Sequence, residues 1–182
     1  MEQSMPVRKV ILYIAMSLDG YIAAPNDDLS FLEMVQVADE DYGYTDFIST
    51  IDTVILGRKT YDWVMTQVPE FPHADKIAYV ITRTARPSIG STHFYTGSLA
   101  DLVATLKSED SAKHIFCDGG AEVVNALLDG AFIDEFIISV IPILLGDGTR
   151  LFRDGDRPQQ TLELVSSEHF TSGLVQLHYR LK

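Results

Sequence analysis

The chain has 182 residues, 46% apolar and 22% charged, the balance of an ordinary globular protein, and this length suits one domain, 1–182, around a single core. A net charge of −12 and a lone cysteine exclude nucleic acid and anionic membranes as partners, exclude an internal disulfide, and fit a reducing cytoplasm. No apolar run reaches the roughly 18 residues of a membrane span, and Met1-Glu2-Gln3-Ser4-Met5 is acidic and polar, unlike the start of a secretory signal.

The nearly continuous apolar run 10–15 predicts a strand buried on both faces. A turn at Ser17-Leu18-Asp19-Gly20 leads to a short strand, 21–23, and a loop over 25–29. Segment 39–50 is polar with Tyr42, Phe47, Ile48 and Ile51 spaced for a helix. A strand at 53–57 runs into a helix over 59–65, then a loop around Pro69 to Pro72. Strands follow at 77–82 and 93–95. Ser98 is the expected cap of a helix over 99–107. A strand at 113–117, a helix at 121–128 stopped by Gly130, a strand at 132–140 and a loop at 142–148 come next. Segments 162–170 and 174–181 read as a hairpin across Thr171-Ser172-Gly173, with Val175, Leu177, Tyr179 and Leu181 on one face and Gln176, His178 and Arg180 on the other. Strands alternating with helices before a terminal hairpin predict an α/β fold: a mixed, mainly parallel sheet covered on both faces, with a C-terminal antiparallel hairpin.

Two strand-to-helix junctions carry the chemistry. One runs Val54-Ile55-Leu56-Gly57-Arg58-Lys59-Thr60-Tyr61, the other Ile115-Phe116-Cys117-Asp118-Gly119-Gly120-Ala121-Glu122-Val123. Each ends an apolar strand on glycine and opens a helix, leaving unpaired N–H groups where an anion is stabilised. Two such ends suit a ligand carrying phosphates, a dinucleotide above all. The positive charge is local: no Lys or Arg lies between Lys9 and Arg58, after which Arg58, Lys59, Lys76, Arg83 and Arg86 follow. Arg58 and Arg83, at strand C-termini, are assigned to the ligand; Lys76 and Arg86 read as solvated surface.

Three boxes in order carry a resemblance: Ala15-Met16-Ser17-Leu18-Asp19-Gly20-Tyr21-Ile22-Ala23, Leu56-Gly57-Arg58-Lys59-Thr60-Tyr61, and Gly119-Gly120-Ala121-Glu122 continuing through Ile133-Asp134-Glu135 to Pro142-Ile143-Leu144-Leu145-Gly146-Asp147-Gly148. Together they resemble the dihydrofolate reductase-like superfamily. More narrowly, they are similar to stand-alone relatives of the C-terminal reductase domain of RibD, the riboflavin-biosynthesis deaminase–reductase. The resemblance implies a three-layer α/β/α fold, NADPH as cofactor, hydride transfer to a small heterocyclic substrate, and a homodimer. It implies that Ala15 offers backbone groups to the nicotinamide carboxamide, and that Gly20, Tyr21 and Ile22 lie beside the nicotinamide ring and ribose. Gly57, Arg58, Lys59 and Thr60 would hold the pyrophosphate and adenosine side, with Thr60 open between that role and a helix cap. Thr82 and Arg83 would meet the 2′-phosphate. Gly119-Gly120 would form a tight turn, cis or trans, presenting the N–H groups of Ala121, Glu122 and Val123 to the pyrophosphate.

For the proton, the resemblance places Asp41 near the carboxylate that serves dihydrofolate reductase, with Asp39 and Asp46 as competitors; facing an apolar cleft, such a group would have a raised pKa. The alternative is a charged helix start at Asp39-Glu40-Asp41. Tyr13, Phe31, Leu32 and Trp63 are candidates for an apolar wall against a flat ring, or for core packing. Tyr61, Tyr79 and Phe116 are assigned to the core, Asp134-Glu135 to a turn cap, and 142–148 to either a dimer interface or the substrate cleft. The five histidines lack metal-ligand spacing, so no metal is expected, and Cys117 reads as buried and inert.

Tyr13 stands where the riboflavin reductase domain usually has lysine, and its phosphate-holding segments after the second box are missing. The expected activity is therefore reduction of a pteridine- or pyrimidine-type heterocycle. Reduction of 5-amino-6-(5-phosphoribosylamino)uracil is the alternative, with Arg150 and Arg153 as residual phosphate contacts. A non-catalytic NADPH-binding protein is the alternative of another class. All three require Gly57-Arg58 and Gly119-Gly120 to converge on opposite flanks of one groove.

Overall fold

Strands β1 (Val10–Ser17), β2 (Tyr21–Ala23), β3 (Ile51–Gly57), β4 (Ile77–Ile81), β5 (Thr92–Tyr95), β6 (His114–Gly119), β7 (Glu135–Ile141), β8 (Thr149–Arg150), β9 (Leu162–His169) and β10 (Val175–Leu181) alternate with helices α1 (Tyr44–Ser49), α2 (Arg58–Gln67), α3 (Leu99–Ser108) and α4 (Ala121–Asp129). The structure is a computed structural model and describes residues 7–182; the expectation for Met1 to Met5 lies outside the described residues. Eight strands form one sheet in the order β5-β4-β3-β6-β1-β7-β10-β9, and β2 pairs with β8 apart from it. From β5 to β7 every pairing is parallel. β10 then runs antiparallel to β7, and β9 antiparallel to β10.

Side-chain alternation along the central strands sends apolar groups to both faces. Val10, Leu12, Ile115 and Cys117 pack under Leu102, Val103 and Leu106 of α3 and Val124 and Leu127 of α4. Ile11, Val54, Leu56, Val80 and Phe116 pack on the other face with Phe47 of α1 and Tyr61 of α2. The expected three-layer α/β/α architecture follows, and each fully buried aliphatic side chain contributes about 1.5–3 kcal/mol. A third cluster, Phe31, Val35, Ile141 and Leu174, covers the end of β1 around Ala15.

The N-terminal edge of the sheet is closed by Arg8, only 2% exposed. Its guanidinium donates to Leu106 O at 2.9 Å, Thr53 Oγ1 at 3.0 Å and Lys113 O at 3.1 Å, and also to Asp52 and Glu109. The charge is buried with every donor engaged, which is what makes its burial tolerable. No helix among the described residues is long and apolar enough to cross a membrane.

Beyond shifts of a residue or two at element ends, four segments depart from expectation. The helix expected over 39–50 begins only at Tyr44, because Asp39, Tyr42 and Gly43 all take positive φ. The strand expected from 132 begins at Glu135: Asp134 accepts from Val10 N–H at 2.7 Å and ends the turn there. Segment 30–35, unassigned in the sequence, is a 3-10 helix anchored by Phe31 and Val35. β8 is two residues long and exists through its pairing with β2.

Candidate functional site

β3 and β6 are neighbours, with Leu56 opposite Gly119, so their C-terminal ends deliver the two glycine junctions side by side. α2 leaves β3 toward one face of the sheet and α4 leaves β6 toward the other. The two helix starts thus converge at the C-terminal edge of the sheet from opposite faces, and they touch. A Cβ on Gly57 would meet Val123 Cγ2 at 3.3 Å and lie 3.8 Å from Gly119 O, so only glycine leaves this approach unforced. Gly119 has φ +100°, a conformation that a side chain strains; the Gly119-Gly120 peptide is cis. Thr60 Oγ1 accepts from Gly120 N–H at 2.9 Å, so Thr60 pins one junction to the other. That is a different service from either role expected of it.

Helix capping separates these starts from the rest. Ser98 Oγ caps α3, accepting from Asp101 N–H. At α1, Asp41 accepts from Gly43 N–H at 2.9 Å and Thr45 N–H at 3.0 Å. α2 and α4 begin at Gly57 and Gly120 with no side-chain cap. The N–H groups of Arg58, Lys59, Ala121, Glu122 and Val123 therefore present partial positive charge at the C-terminal edge of the sheet, suited to a pyrophosphate. Arg58 is less free than expected: its guanidinium bonds Asp62 at 2.8 Å, and Asp62 also holds Arg86 at 2.8 Å. Arg86 and then Arg58 keep the Asp62 carboxyl below its ordinary range. Two guanidiniums on one carboxylate still leave positive charge beside α2. Lys59 is exposed. Thr82 is buried and bonds within its own turn to Thr84, while Arg83 lines a cavity of about 460 Å³ along α4.

At the end of β1, Ala15 pairs with Ser139 and is packed by the third cluster. The turn that follows is locked to segment 143–151. Asp19 accepts from Leu145 N–H at 3.1 Å and Gly146 N–H at 2.7 Å, and Leu18 N–H reaches Ile143 O at 2.9 Å. The Ser17 hydroxyl, then the Gly146 and Leu145 amides, pull the Asp19 carboxyl down to about 2. Gly20 takes φ +90°, Tyr21 is buried with Arg150 4.9 Å over its ring, and Ile22 packs toward the α3/α4 face.

Asp41 requires a correction. It is exposed rather than facing an apolar cleft, and hydrogen bonds from the Thr45 side chain, the Thr45 amide and the Gly43 amide hold its carboxyl below the ordinary range. The charged-helix-start alternative describes it. Tyr13 stacks on Phe47 with centroids 4.6 Å apart, and its hydroxyl donates to Tyr42 O at 2.9 Å. Phe31 belongs to the separate cluster over Ala15, and Trp63, 41% exposed on α2, belongs to neither. Leu32 packs with Phe31 in that cluster, so the four expected wall residues are not brought together as one surface.

Two groups escaped the sequence reading. Asp118, one residue before Gly119, alternates onto the α1/α2 face, where His73 Nε2 lies 3.7 Å from its carboxylate. His73 is 6% exposed and stands edge-on to Phe116 and Phe71. Burial, and then Asp118, push the Tyr44 phenol up to about 12, so Tyr44 stays a neutral donor nearby. A polar residue interrupting an apolar strand immediately before two glycines was the available signal. Cys117 points to the other face, fully buried, its thiol pushed up to about 12 by burial. Among the described residues no three His, Cys, Asp or Glu side chains cluster as a metal site.

A sequence profile of the RibD C-terminal domain matches residues 8–176. The uncharacterized protein YwjB of Bacillus subtilis (strain 168) is 42% identical over 174 residues, 94% of this chain and 97% of that protein. YyaP of the same organism, also uncharacterized, is 31% identical over 98% of both chains. Among solved structures, a protein of Shewanella sp. PV-4 named for riboflavin biosynthesis superposes with a TM-score of 0.85 at 30% identity, covering 96% of this chain and 99% of that one. Acinetobacter baumannii RibD shares the fold, with a TM-score of 0.68 at 18% identity over 97% of this chain and 58% of that one.

Proposed function

The chain belongs to the RibD C-terminal domain family, and from that premise we propose that it is an NADPH-dependent reductase acting on a pteridine- or pyrimidine-type heterocycle in the cytoplasm. The observation that carries the reading is the contact of two uncapped, glycine-led helix starts at the C-terminal edge of the sheet, joined by Thr60 Oγ1 to Gly120 N–H. Backbone donors at Arg58 to Thr60 and at Ala121 to Val123 hold the pyrophosphate. Ala15 and the turn 17–22, fixed by Asp19, orient the nicotinamide end. NADPH, when bound, supplies the hydride.

The carboxylate best situated for the heterocycle is Asp118 rather than Asp41. It precedes the Gly119 turn and shares its face with His73, Tyr44 and Tyr13. In this role Asp118 accepts ring N–H groups of the substrate, and the His73 imidazole beside it supports movement of a proton. Segment 142–151 is assigned to closing the cleft by packing on the turn 17–24, which excludes water there. Arg150 lies over the Tyr21 ring and Arg153 lines the cavity along α4, and among the described residues neither pairs with this carboxylate. That favours a neutral flat ring over a phosphoribosyl substrate. A homodimer would cover the wholly exposed β9, with Leu164 and Val165 at its centre; light scattering tests that.

The experiment is NADPH oxidation, followed by nicotinamide absorbance, against pterins, dihydropterins and the phosphoribosylaminouracil. Turnover of a pterin or simple pyrimidine supports the reading. Turnover of the phosphoribosyl compound alone transfers the assignment to riboflavin synthesis. Tight binding without any turnover leaves a nucleotide-binding protein.

A further inference from the structure

The cavity along α4 holds three arginines that the pyrophosphate site does not use. Arg83 enters from the end of β4, and Arg153 and Arg157 from the segment after β8. That segment is fastened to α4 by Asn125, which is 6% exposed and makes four hydrogen bonds. Its Nδ2 donates to Ala121 O at 2.7 Å and Leu151 O at 2.8 Å; its Oδ1 accepts from Arg153 N–H at 3.0 Å and Arg157 Nη2 at 2.9 Å. A buried amide satisfied on every side fixes the backbone that carries both arginines.

The guanidiniums are not equally occupied. Arg83 and Arg153 have no side-chain partner among the described residues. Arg157 Nε is buried without a hydrogen bond, 3.1 Å from Asp129 Oδ1 but out of line with it. Buried donors left unmade are costly, and planar guanidinium forks suit a phosphate. The carboxylates at the cavity, Glu122, Asp129, Asp154 and Asp156, are all exposed, so water and salt screen their repulsion. They also offer acceptors for sugar hydroxyls and a ring amine. Glu122 stands in the first turn of α4, so the cavity begins where the proposed pyrophosphate cradle ends.

We infer that Arg153 and Arg157 join Arg83 as the site that recognises a monoester phosphate on the adenosine ribose, setting preference for NADPH over NADH. This rests on the cofactor reading above and adds to it a segment, 151–157, that no sequence box includes.

Calorimetric titration of the full chain and its Arg153→Gln and Arg157→Gln variants with NADPH, NADH, adenosine 2′,5′-bisphosphate, adenosine 5′-monophosphate and inorganic phosphate tests it. Each variant is expected to bind NADPH and the bisphosphate roughly tenfold or more weakly, with NADH and the monophosphate unchanged. Equal losses for NADPH and NADH, or no loss in either variant, would overturn the assignment. Inorganic phosphate binding as tightly as the bisphosphate would overturn its adenosine part. If the unaltered chain binds neither dinucleotide, the reductase reading fails with it; if NADPH binds and the variants do not discriminate, only this inference fails. Arg153→Gln removes a guanidinium without a protein partner, so it keeps the test open should Arg157→Gln unfold.

Discussion

The two edges of the sheet handle charge and polar backbone in opposite ways. At the N-terminal edge Arg8 is buried with every donor engaged, by two carboxylates, two carbonyls and a hydroxyl. At the C-terminal edge α2 and α4 start on glycines without caps, and among the described residues Arg83 and Arg153 have no side-chain partner and Arg157 Nε has no hydrogen bond. A saturated cluster resists change and has nothing left to offer a ligand. An unsaturated one is less stable alone and becomes complete when something binds. Under the proposed function, saturation more than charge or burial separates the structural polar groups of this molecule from those assigned to a ligand.

The largest expected effect would break the saturated edge. Arg8→Ala should cost about 3–5 kcal/mol in urea denaturation, since it removes a buried charge whose partners stay behind, while NADPH affinity of the folded protein stays the same. Asp118→Asn should lower turnover on the order of a hundredfold, leaving NADPH affinity and stability near the unaltered chain; an unchanged turnover number would return the proton question to the other carboxylates. Thr60→Val strips the acceptor from Gly120 N–H and should cost about 1–2 kcal/mol, with NADPH binding several-fold weaker because the junctions are no longer pinned. Should Thr60→Val bind NADPH normally, the pinning is structural only.

The smallest effect sharpens the comparison through pH. Asp19 has a folded pKa of about 2 against an ordinary value of 3.8. Its carboxylate therefore contributes stability above about pH 4, and that contribution is lost as the pH falls toward 2. Asp19→Asn should be less stable than the unaltered chain near neutrality, and the gap in melting temperature should close between pH 4 and 2. A gap independent of pH would mean that the carboxylate's charge is not what fastens segment 143–151.

The layers and the parallel core were legible because β1, β3, β4 and β6 are apolar runs separated by helical patterns, a signal that burial on both faces writes locally. The junctions were legible for a similar reason: glycine directly after such a run has few other uses. What escaped depends on contacts distant in sequence. β8 exists through β2, more than a hundred residues earlier. His73 sits in a loop, and only folding brings it to Asp118. Asp41 misled because its position before the helix resembled a catalytic carboxylate, whereas local turns at Asp39, Tyr42 and Gly43 shorten the helix and leave Asp41 in solvent, bonded to Thr45 and Gly43. Arg153 is legible in the sequence only as a residual phosphate contact, beside Arg150, and Arg157 not at all, since nothing local marks Asn125 as the residue that holds their segment.

The most direct test follows backbone amide resonances during titration with NADPH. The amides of Arg58 to Thr60 and of Ala121 to Val123 should shift together, with one dissociation constant, while those around Arg8 stay still. Shifts confined to one junction, or appearing only on the β9 surface, would contradict a single cofactor site built from both helix starts.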